Sequence, residues 1–117
     1  MFVYGTLKKN FPNSYLLQSA QYLGEGRTRD KYALYVQGIP YVLKSEQRYC
    51  IHGELYNIDD KTLRRLDKLE GHPDWYYREQ VAILDANKQV LTAWMYLYPN
   101  RIGKLNPDGR YEMPTIT

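Results

Sequence analysis

The clearest pattern along the chain is a leucine stripe at helical spacing ahead of a glycine. Three leucines recur every third position and share one face, against a face rich in lysine and arginine: Leu63, Leu66 and Leu69. Asp59 can cap the N-terminus of such a helix, and Gly71 can end it. The pattern predicts one amphipathic helix from Ile58 to Glu70.

Most other apolar residues fall in strand-like runs separated by turn signals. The longer runs are Tyr22–Val36, Tyr41–Leu43, Cys50–Ile58, Trp75–Leu84 and Gln89–Tyr98. In the last run, aromatic residues alternate with Ala, Met and Leu, so neither face is plainly polar. A strand buried on both faces in a small, mainly antiparallel protein indicates a curled sheet. We therefore predict an α+β fold, a small, mainly antiparallel β-barrel with flanking helices.

The length of 117 residues fits a single domain spanning residues 1–117. From about residue 99 the composition changes to Asn, Gly, Pro and charged residues. Such a composition is typical of loops, and we expect this tail to be loop or partly disordered.

Tyrosine dominates the aromatic composition, with 13 Tyr against two Phe and two Trp. Each buried tyrosine needs a hydrogen-bond partner for its hydroxyl, which favours a wet, half-enclosed cavity over an oily one. The formal charge of +3 is mild, and like charges form no long block. Nothing in this balance predicts a nucleic-acid partner, and the oligomeric state is left open.

The cysteine and histidine content argues against disulfide and metal chemistry. Cys50 is the single cysteine, which fits a reducing compartment, and His52 and His72 lack metal-ligand spacing. The Gly24–Gly26 segment lacks the third glycine of a dinucleotide fingerprint, so we predict no cofactor.

No apolar run approaches membrane-spanning length, and the first strand begins at once without a leader. We therefore expect a cytoplasmic protein without a membrane partner.

The first seven residues form a short apolar run that breaks at Gly5 into a turn. We expect Gly5 to adopt backbone angles that other residues avoid, so that the N–H groups of the turn converge. Converging backbone amides form an anion site without a charged side chain. An ordinary connection between a strand and a loop is the alternative interpretation of this segment.

Glu70 is the most informative residue of the predicted helix. It lies four residues after Leu66 and seven after Leu63, so it points with the buried stripe. It also lies at the negative end of the helix dipole, and burial and dipole should together raise its pKa. A carboxylate in such a place is a candidate general acid/base. Alternatively, the last helical turn unwinds and Glu70 lies in water.

Two further groups of charged residues are weaker candidates. Glu54 shares a predicted strand face with ring-bearing neighbours, and is either a hydrogen-bonded buried acid or an exposed edge residue. Arg27, Arg29 and Lys31 alternate along the run 22–36 and would share one strand face if it is continuous there. Such a stripe could meet an acidic ligand, but a solvated strand face is the better explanation.

Four short motifs carry a resemblance to a known family. They are Tyr4–Leu7, Gly53–Tyr56, Leu66–Gly71 and Tyr76–Arg78. In this order and spacing they resemble the gamma-glutamylcyclotransferase-like family, and within it the small gamma-glutamylamine cyclotransferase branch, also described as AIG2-like. The resemblance covers residues 2 to about 98.

The resemblance implies a small β-barrel whose first loop holds a gamma-glutamyl group and whose motif glutamate is the catalytic acid/base. The corresponding positions for binding are Tyr4, Gly5, Thr6 and Leu7, and Glu70 is the position for catalysis. The chain departs from the family's pattern in two places: Asn13–Ser14 stands where members often have Asn-His, and the C-terminal end is polar and short. Both departures bear on the choice of substrate more than on the reaction.

The implied reaction is a cyclisation of a small gamma-glutamyl compound. The α-amino group of the substrate attacks its own gamma-carbonyl and expels an amine or amino acid as 5-oxoproline forms. The enzyme needs no serine or cysteine nucleophile, because one carboxylate of raised pKa can take and return the protons. The alternative is a non-catalytic small-molecule binding or regulatory module on the same fold.

Overall fold

The computed structural model describes residues 1–112, which form eight strands, one α-helix and one 3-10 helix. The strands are β1 Phe2–Val3, β2 Gln21–Thr28, β3 Ala33–Gln37, β4 Ile39–Leu43, β5 His52–Asn57, β6 Tyr77–Asp85, β7 Val90–Leu97 and β8 Lys104–Leu105. Helix α1 is Asp60–Glu70, and the 3-10 helix is Ser14–Leu17. No helix within residues 1–112 is long and apolar enough to cross a membrane.

The strands form two open antiparallel sheets. The larger sheet has the order β1-β5-β2-β6-β7, and the smaller has the order β4-β3-β8. Strands β1 and β7 are the two edges of the larger sheet, so it does not close on itself. The α+β class is therefore confirmed, but the predicted barrel is wrong.

The double burial of β7 has a different cause from barrel closure. Met95 and Leu97 belong to a cluster that the larger sheet shares with Leu34 and Val42 of the smaller sheet. Tyr96, on the opposite face of β7, belongs to a second cluster that includes residues of α1. The larger sheet is thus covered on one face by the smaller sheet and on the other by the helix.

Helix α1 has the ends that its sequence predicts. Asp59 Oδ1 accepts a hydrogen bond of 2.7 Å from the Thr62 N–H, and Gly71 adopts a left-handed conformation with φ of 67°. Leu66 is fully buried, whereas Leu69 lies at the surface with 39% of its area exposed. The last turn remains helical to Glu70, so the unwound alternative is not what the structure has.

Residues 22–36 do not form one continuous strand. Strand β2 ends at Thr28, whose hydroxyl donates to the Asp30 carbonyl at 2.7 Å and accepts from the Ile51 N–H at 2.9 Å. These bonds hold the chain in a bend before β3 begins. Arg29 and Lys31 therefore lie outside any strand, so the condition for a stripe of three basic residues on one strand face is not met.

Part of the segment after residue 99 packs against the rest of the fold. Strand β8 pairs with β3, with Leu105 opposite Tyr35. Tyr111 is buried in the cluster between the sheets, and its carbonyl accepts a hydrogen bond of 2.7 Å from Lys8 Nζ. Lys104 and Leu105 thus form a short strand, the rest of residues 99–112 has no helix or strand, and residues 113–117 lie outside the described part of the chain.

Candidate active site

A cavity of about 210 Å³ lies where the loop after β1, the C-terminal end of α1 and the start of β4 meet. Its lining residues are Phe2, Val3, Tyr4, Gly5, Thr6, Leu7, Asn13, Ile39, Pro40, Leu69, Glu70, Trp75, Tyr76 and Tyr96. The structure therefore brings together all five site residues that the sequence singled out. Their roles in binding and catalysis stay predictions.

Glu70 is the last residue of α1, and it is half-buried at the cavity wall. Among the described residues that line the cavity, it alone is charged. Burial raises the pKa of the Glu70 carboxyl to about 7. No hydrogen bond or ion pair to this carboxylate is found within residues 1–112. At neutral pH the group is therefore divided between its two protonation states and free to exchange a proton with a ligand.

The loop from Tyr4 to Leu7 forms a second part of the lining. The Lys8 N–H donates to the Gly5 carbonyl at 3.1 Å and closes a turn. Asn13 stabilises the turn through two hydrogen bonds to Thr6. Its backbone N–H donates to the Thr6 carbonyl at 3.0 Å, and its side-chain amide donates to the Thr6 hydroxyl at 2.9 Å. In the described part of the chain, the N–H groups of Gly5, Thr6 and Leu7 donate to no protein acceptor. No protein acceptor among the described residues therefore occupies these groups.

Gly5 is needed for a different reason from the one its sequence context predicts. The residue is not among the glycines with positive φ, so its backbone angles are open to other residues. A Cβ atom at this position would lie 2.6 Å from Cγ of Pro40. The prediction of an unusual backbone conformation is therefore wrong, and close packing of the loop on β4 is what requires glycine.

Glu54 holds the far end of the same loop. Its carboxylate accepts hydrogen bonds from the Lys9 N–H at 2.9 Å and from the Tyr56 hydroxyl at 3.0 Å. The Lys9 ammonium group lies 3.5 Å from the centre of the Tyr22 ring. Glu54 is thus hydrogen-bonded, as one interpretation predicts, but it is half-buried rather than buried, and its strand β5 lies inside the sheet rather than at an edge. Its partners indicate a role in positioning the loop.

Behind the cavity lies a polar cluster that sequence reasoning missed, formed by Asp67, Arg78 and Tyr96. The guanidinium group of Arg78 binds both oxygens of Asp67, with Nε–Oδ1 at 2.8 Å and Nη2–Oδ2 at 3.1 Å. The Tyr96 hydroxyl donates to Asp67 Oδ1 at 2.7 Å. Burial alone would raise the pKa of Asp67, but the hydrogen bonds from Arg78 and Tyr96 hold it below its ordinary value.

No local sequence pattern places Asp67, Arg78 and Tyr96 in contact, because they lie on α1, β6 and β7. The only available signal was that Asp67 and Arg78 fall within two of the four family-like motifs. Arg78 also stacks on Trp94, with its guanidinium carbon 4.2 Å from the ring centre. Within the described residues, the guanidinium group of Arg78 thus pairs with Asp67 and Trp94 and forms no ion pair with Glu70.

Three tyrosines line the cavity with hydroxyl groups already bonded to protein acceptors. Tyr4 donates to the Tyr96 carbonyl at 2.9 Å, Tyr76 donates to the Pro40 carbonyl at 2.7 Å, and Tyr96 donates to Asp67. Burial raises the pKa of all three well above the ordinary value of tyrosine. Glu70 is therefore the cavity group that changes its charge near neutral pH.

The described residues contain no group of three or more His, Cys, Asp or Glu side chains placed to hold a metal ion.

The fold has two open antiparallel sheets and one covering helix. Its candidate site is a cavity that the glutamate at the end of this helix shares with a glycine-containing loop. The sequence matches the family described as "Gamma-glutamyl cyclotransferase, AIG2-like" over residues 1–113. The chain belongs to this family. The predicted resemblance is confirmed, and so, at the level of the family, is the prediction of an enzyme of the gamma-glutamylcyclotransferase type.

Individual relatives agree with the family assignment. The chain is 47% identical over 114 residues to a protein of Methanocaldococcus jannaschii named "Putative gamma-glutamylcyclotransferase", covering 96% of this chain and 94% of that protein. It is 37% identical to gamma-glutamylaminecyclotransferase B of Danio rerio, covering 92% of this chain and 61% of that protein. The crystal structure of an AIG2-like protein of Mus musculus superposes with a TM-score of 0.75 at 27% identity, covering 96% of this chain and 86% of that one.

Proposed function

We propose that this protein is a gamma-glutamyl cyclotransferase that releases 5-oxoproline and a free amine from a small gamma-glutamyl compound. The observation that carries the proposal is the placement of Glu70. It is the one charged group among the described lining residues, its pKa is raised to about 7, and it shares a cavity with unpaired loop amides. A base that titrates near neutral pH suits proton transfer from an ammonium group.

The charges of the substrate match the two sides of the cavity. The gamma-glutamyl group carries an α-ammonium and an α-carboxylate on the same carbon. The carboxylate is held by the N–H groups of Gly5, Thr6 and Leu7, since no basic side chain is among the described lining residues. The ammonium then lies beside Glu70, and the bound substrate is folded so that its nitrogen faces its own gamma-carbonyl.

The reaction needs two protons to leave the attacking nitrogen and one nucleophilic attack. The Glu70 carboxylate removes a proton from the ammonium, and the free amine attacks the gamma-carbonyl carbon to form the ring C–N bond. As the tetrahedral intermediate collapses, the original amide C–N bond breaks and Glu70 returns the proton to the departing nitrogen. The second proton of the attacking nitrogen passes to the departing amine or to solvent. The products are 5-oxoproline and the amine.

The direct test is incubation with a set of gamma-glutamyl amides and gamma-glutamyl amino acids, followed by chromatographic measurement of 5-oxoproline. Glu70→Gln protein, purified in parallel, controls for contaminating activity. Release by the wild type alone is the expected result. If no compound yields 5-oxoproline although several bind saturably in calorimetry, the cyclotransferase proposal falls and the non-catalytic binding module replaces it.

A further inference from the structure

A second cavity, of about 390 Å³, is lined by residues of β2 and β5, by the turn between β6 and β7, and by the segment 110–112. Among the described residues, none lines both this cavity and the one that contains Glu70. Three nitrogen-bearing side chains come together in the second cavity: Arg27, His52 and Arg110. The proposed cyclisation uses none of them.

The pairing of β2 with β5 places Arg27 and His52 side by side. They are directly opposite in the antiparallel register, so their side chains leave the same face of the sheet with Cβ atoms about 5 Å apart. Nη1 of Arg27 donates to the Thr28 carbonyl at 3.3 Å and lies 3.1 Å from Sγ of Cys50. Within residues 1–112, Nε and Nη2 of Arg27 have no acceptor, so these two donors are left for a ligand.

Arg110 is brought to the same place by a turn with its own hydrogen bonds. The Asn106 side chain accepts from the N–H groups of Asp108 and Gly109 at 3.1 and 2.8 Å, and it donates to the Arg110 carbonyl at 3.1 Å. The Gly109 carbonyl accepts from the His52 N–H at 3.0 Å. The turn is therefore fastened to β5 at His52, and the next residue, Arg110, lines the cavity beside it.

The positive charge of this group is not neutralised by a direct contact. In the described part of the chain, neither Arg27 nor Arg110 forms an ion pair with a carboxylate. Burial lowers the pKa of His52, and the charges of Arg110 and Arg27 lower it further, against an opposing effect of Asp108. An anion bound among the three side chains would relieve this repulsion.

The rest of the lining limits the size of such an anion. The other charged residues around the cavity are Lys8, Lys88, Glu25, Glu54, Asp85 and Glu112. A long polyanion, such as a nucleic-acid strand, would bring several phosphates against Glu25 and Glu112 at the same time. A compact anion that reaches only the two arginines and His52 avoids this cost.

We propose that Arg27, His52 and Arg110 form a second binding site, for free phosphate or for the phosphate group of a small molecule. Two permanent positive charges match a dianion, and guanidinium groups present paired N–H donors whose geometry fits phosphate oxygens. The ring N–H of His52 is a third kind of donor. The site does not depend on the proposed function, because the two cavities share no described lining residue.

The test uses His52 as a built-in probe. His52 and His72 are the only histidines of the chain, and His72 does not line the second cavity. Proton NMR follows their ring Cε1–H signals, which a His52→Gln variant assigns. Inorganic phosphate added at constant ionic strength should move the His52 signal saturably and leave that of His72 in place. Saturation should also raise the pKa of His52 by about one pH unit, since a bound dianion favours the imidazolium form.

Matched variants link the binding to the two arginines. Arg27→Gln and Arg110→Gln should each weaken phosphate binding by about tenfold or more, because each removes charge-assisted hydrogen bonds. Arg64→Gln is the control, because it makes the same charge change at an exposed arginine outside the cavity, and its Kd should equal that of the wild type. Glycerol 3-phosphate separates the two sources: tighter binding than inorganic phosphate identifies a phosphorylated small molecule, and equal binding identifies free phosphate.

Other results would overturn the second site. Phosphate held by the amides of residues 4–7 would leave the His52 signal in place and would be insensitive to Arg27→Gln. That result contradicts the proposal, as does a His52 shift that persists in both cavity variants or weakens equally in Arg64→Gln. Acetate carries a single negative charge and should bind about tenfold more weakly than phosphate, so equal binding of acetate would also contradict a site for a dianion. Each of these outcomes leaves the release of 5-oxoproline, and hence the proposed function, to its own assay.

Discussion

Asp67 and Glu70 are two carboxylates three residues apart on one helix, but their surroundings are opposite. Asp67 binds both arms of the Arg78 guanidinium and accepts from the Tyr96 hydroxyl. Glu70 has none of these partners and faces a cavity. The pKa of Asp67 is accordingly held below its ordinary value, and that of Glu70 is raised to about 7.

The difference separates a carboxylate that stabilises the protein from one suited to chemistry. A paired carboxylate stays ionised and fixes the elements that it connects, here α1, β6 and β7. An unpaired, half-buried carboxylate is destabilised in its charged form and takes up protons easily. Two groups whose surroundings push their pKa values apart can thus have separate roles on one short element.

The largest expected effect is the loss of turnover in Glu70→Gln. The amide keeps the size of the side chain but removes the basic oxygen, so the rate should fall a hundredfold or more. Asp67→Asn is the matched control, and it should lose far less activity because Asp67 does not line the cavity. Equal losses of kcat in the two variants would show that the comparison assigns the wrong carboxylate to catalysis.

The pH dependence of the wild type should report the raised pKa of Glu70. Since the ionised form is the base, the pH profile of kcat/KM should have an acidic limb with an apparent pKa near 7, below which kcat/KM falls about tenfold for each pH unit. In the complex, the substrate ammonium lowers the pKa of Glu70, so the limb of kcat should lie at lower pH than that of kcat/KM. A limb of kcat/KM near the ordinary glutamate value of 4.5 would mean that Glu70 is solvated.

The two carboxylates should also affect stability in opposite pH windows. The lowered pKa of Asp67 means that its stabilisation is present above about pH 3.8 and is lost as pH falls through the folded value. The raised pKa of Glu70 means that stability falls as pH rises from 4.5 to about 7, by an amount on the order of 2–3 kcal/mol.

Urea unfolding of the Asn and Gln variants from pH 3 to 8 measures both windows. Asp67→Asn should be less stable than the wild type at neutral pH, with the gap narrowing below about pH 3.8. Glu70→Gln should be more stable than the wild type above about pH 7, with no gap below 4.5. A Gln variant that is no more stable at pH 8 would contradict the burial of a charged Glu70.

A smaller effect, on substrate affinity, should follow from displacing the loop that lines the cavity. Gly5→Ala places a methyl group against the Pro40 ring, and such overpacking costs about 1–3 kcal/mol. The loop amides would shift, so substrate affinity should fall by about tenfold while the pH limb of Glu70 is retained. The double variant with Pro40→Ala removes the clashing atom and should recover most of the affinity. Undiminished affinity in the folded single variant would show that the loop is only a connector.

The sequence predicts those parts of the fold that short-range rules determine. Asp59 and Gly71 mark the ends of α1 because capping depends on residues within one turn. The position of Glu70 follows from the same periodicity, since it lies one turn after the fully buried Leu66. Helix α1 and the placement of its last residue were therefore predictable.

Features that depend on distant contacts were not predictable from the same patterns. Double burial of β7 does not distinguish a closed barrel from an open sheet covered on both faces, because both give the same alternation. The need for glycine at position 5 arises from Pro40, which is 35 residues away in the sequence. The Asp67 and Arg78 pair likewise forms only after β6 returns beside the helix.

The smallest effect expected is that of Arg78→Lys, which tests whether the polar cluster and the cavity are separate. Lysine keeps the positive charge beside Asp67 but loses the two-pronged hydrogen bond and the stacking on Trp94. Because the pair is about one-fifth exposed, the loss of unfolding free energy should be near 1 kcal/mol, measured as a lower urea midpoint at unchanged slope. The limb of kcat/KM near pH 7 should stay in place, since the charge behind the cavity is unchanged. A limb that moves by more than half a pH unit would show that Arg78 controls Glu70 directly, and the division between a structural and a chemical carboxylate would then fail.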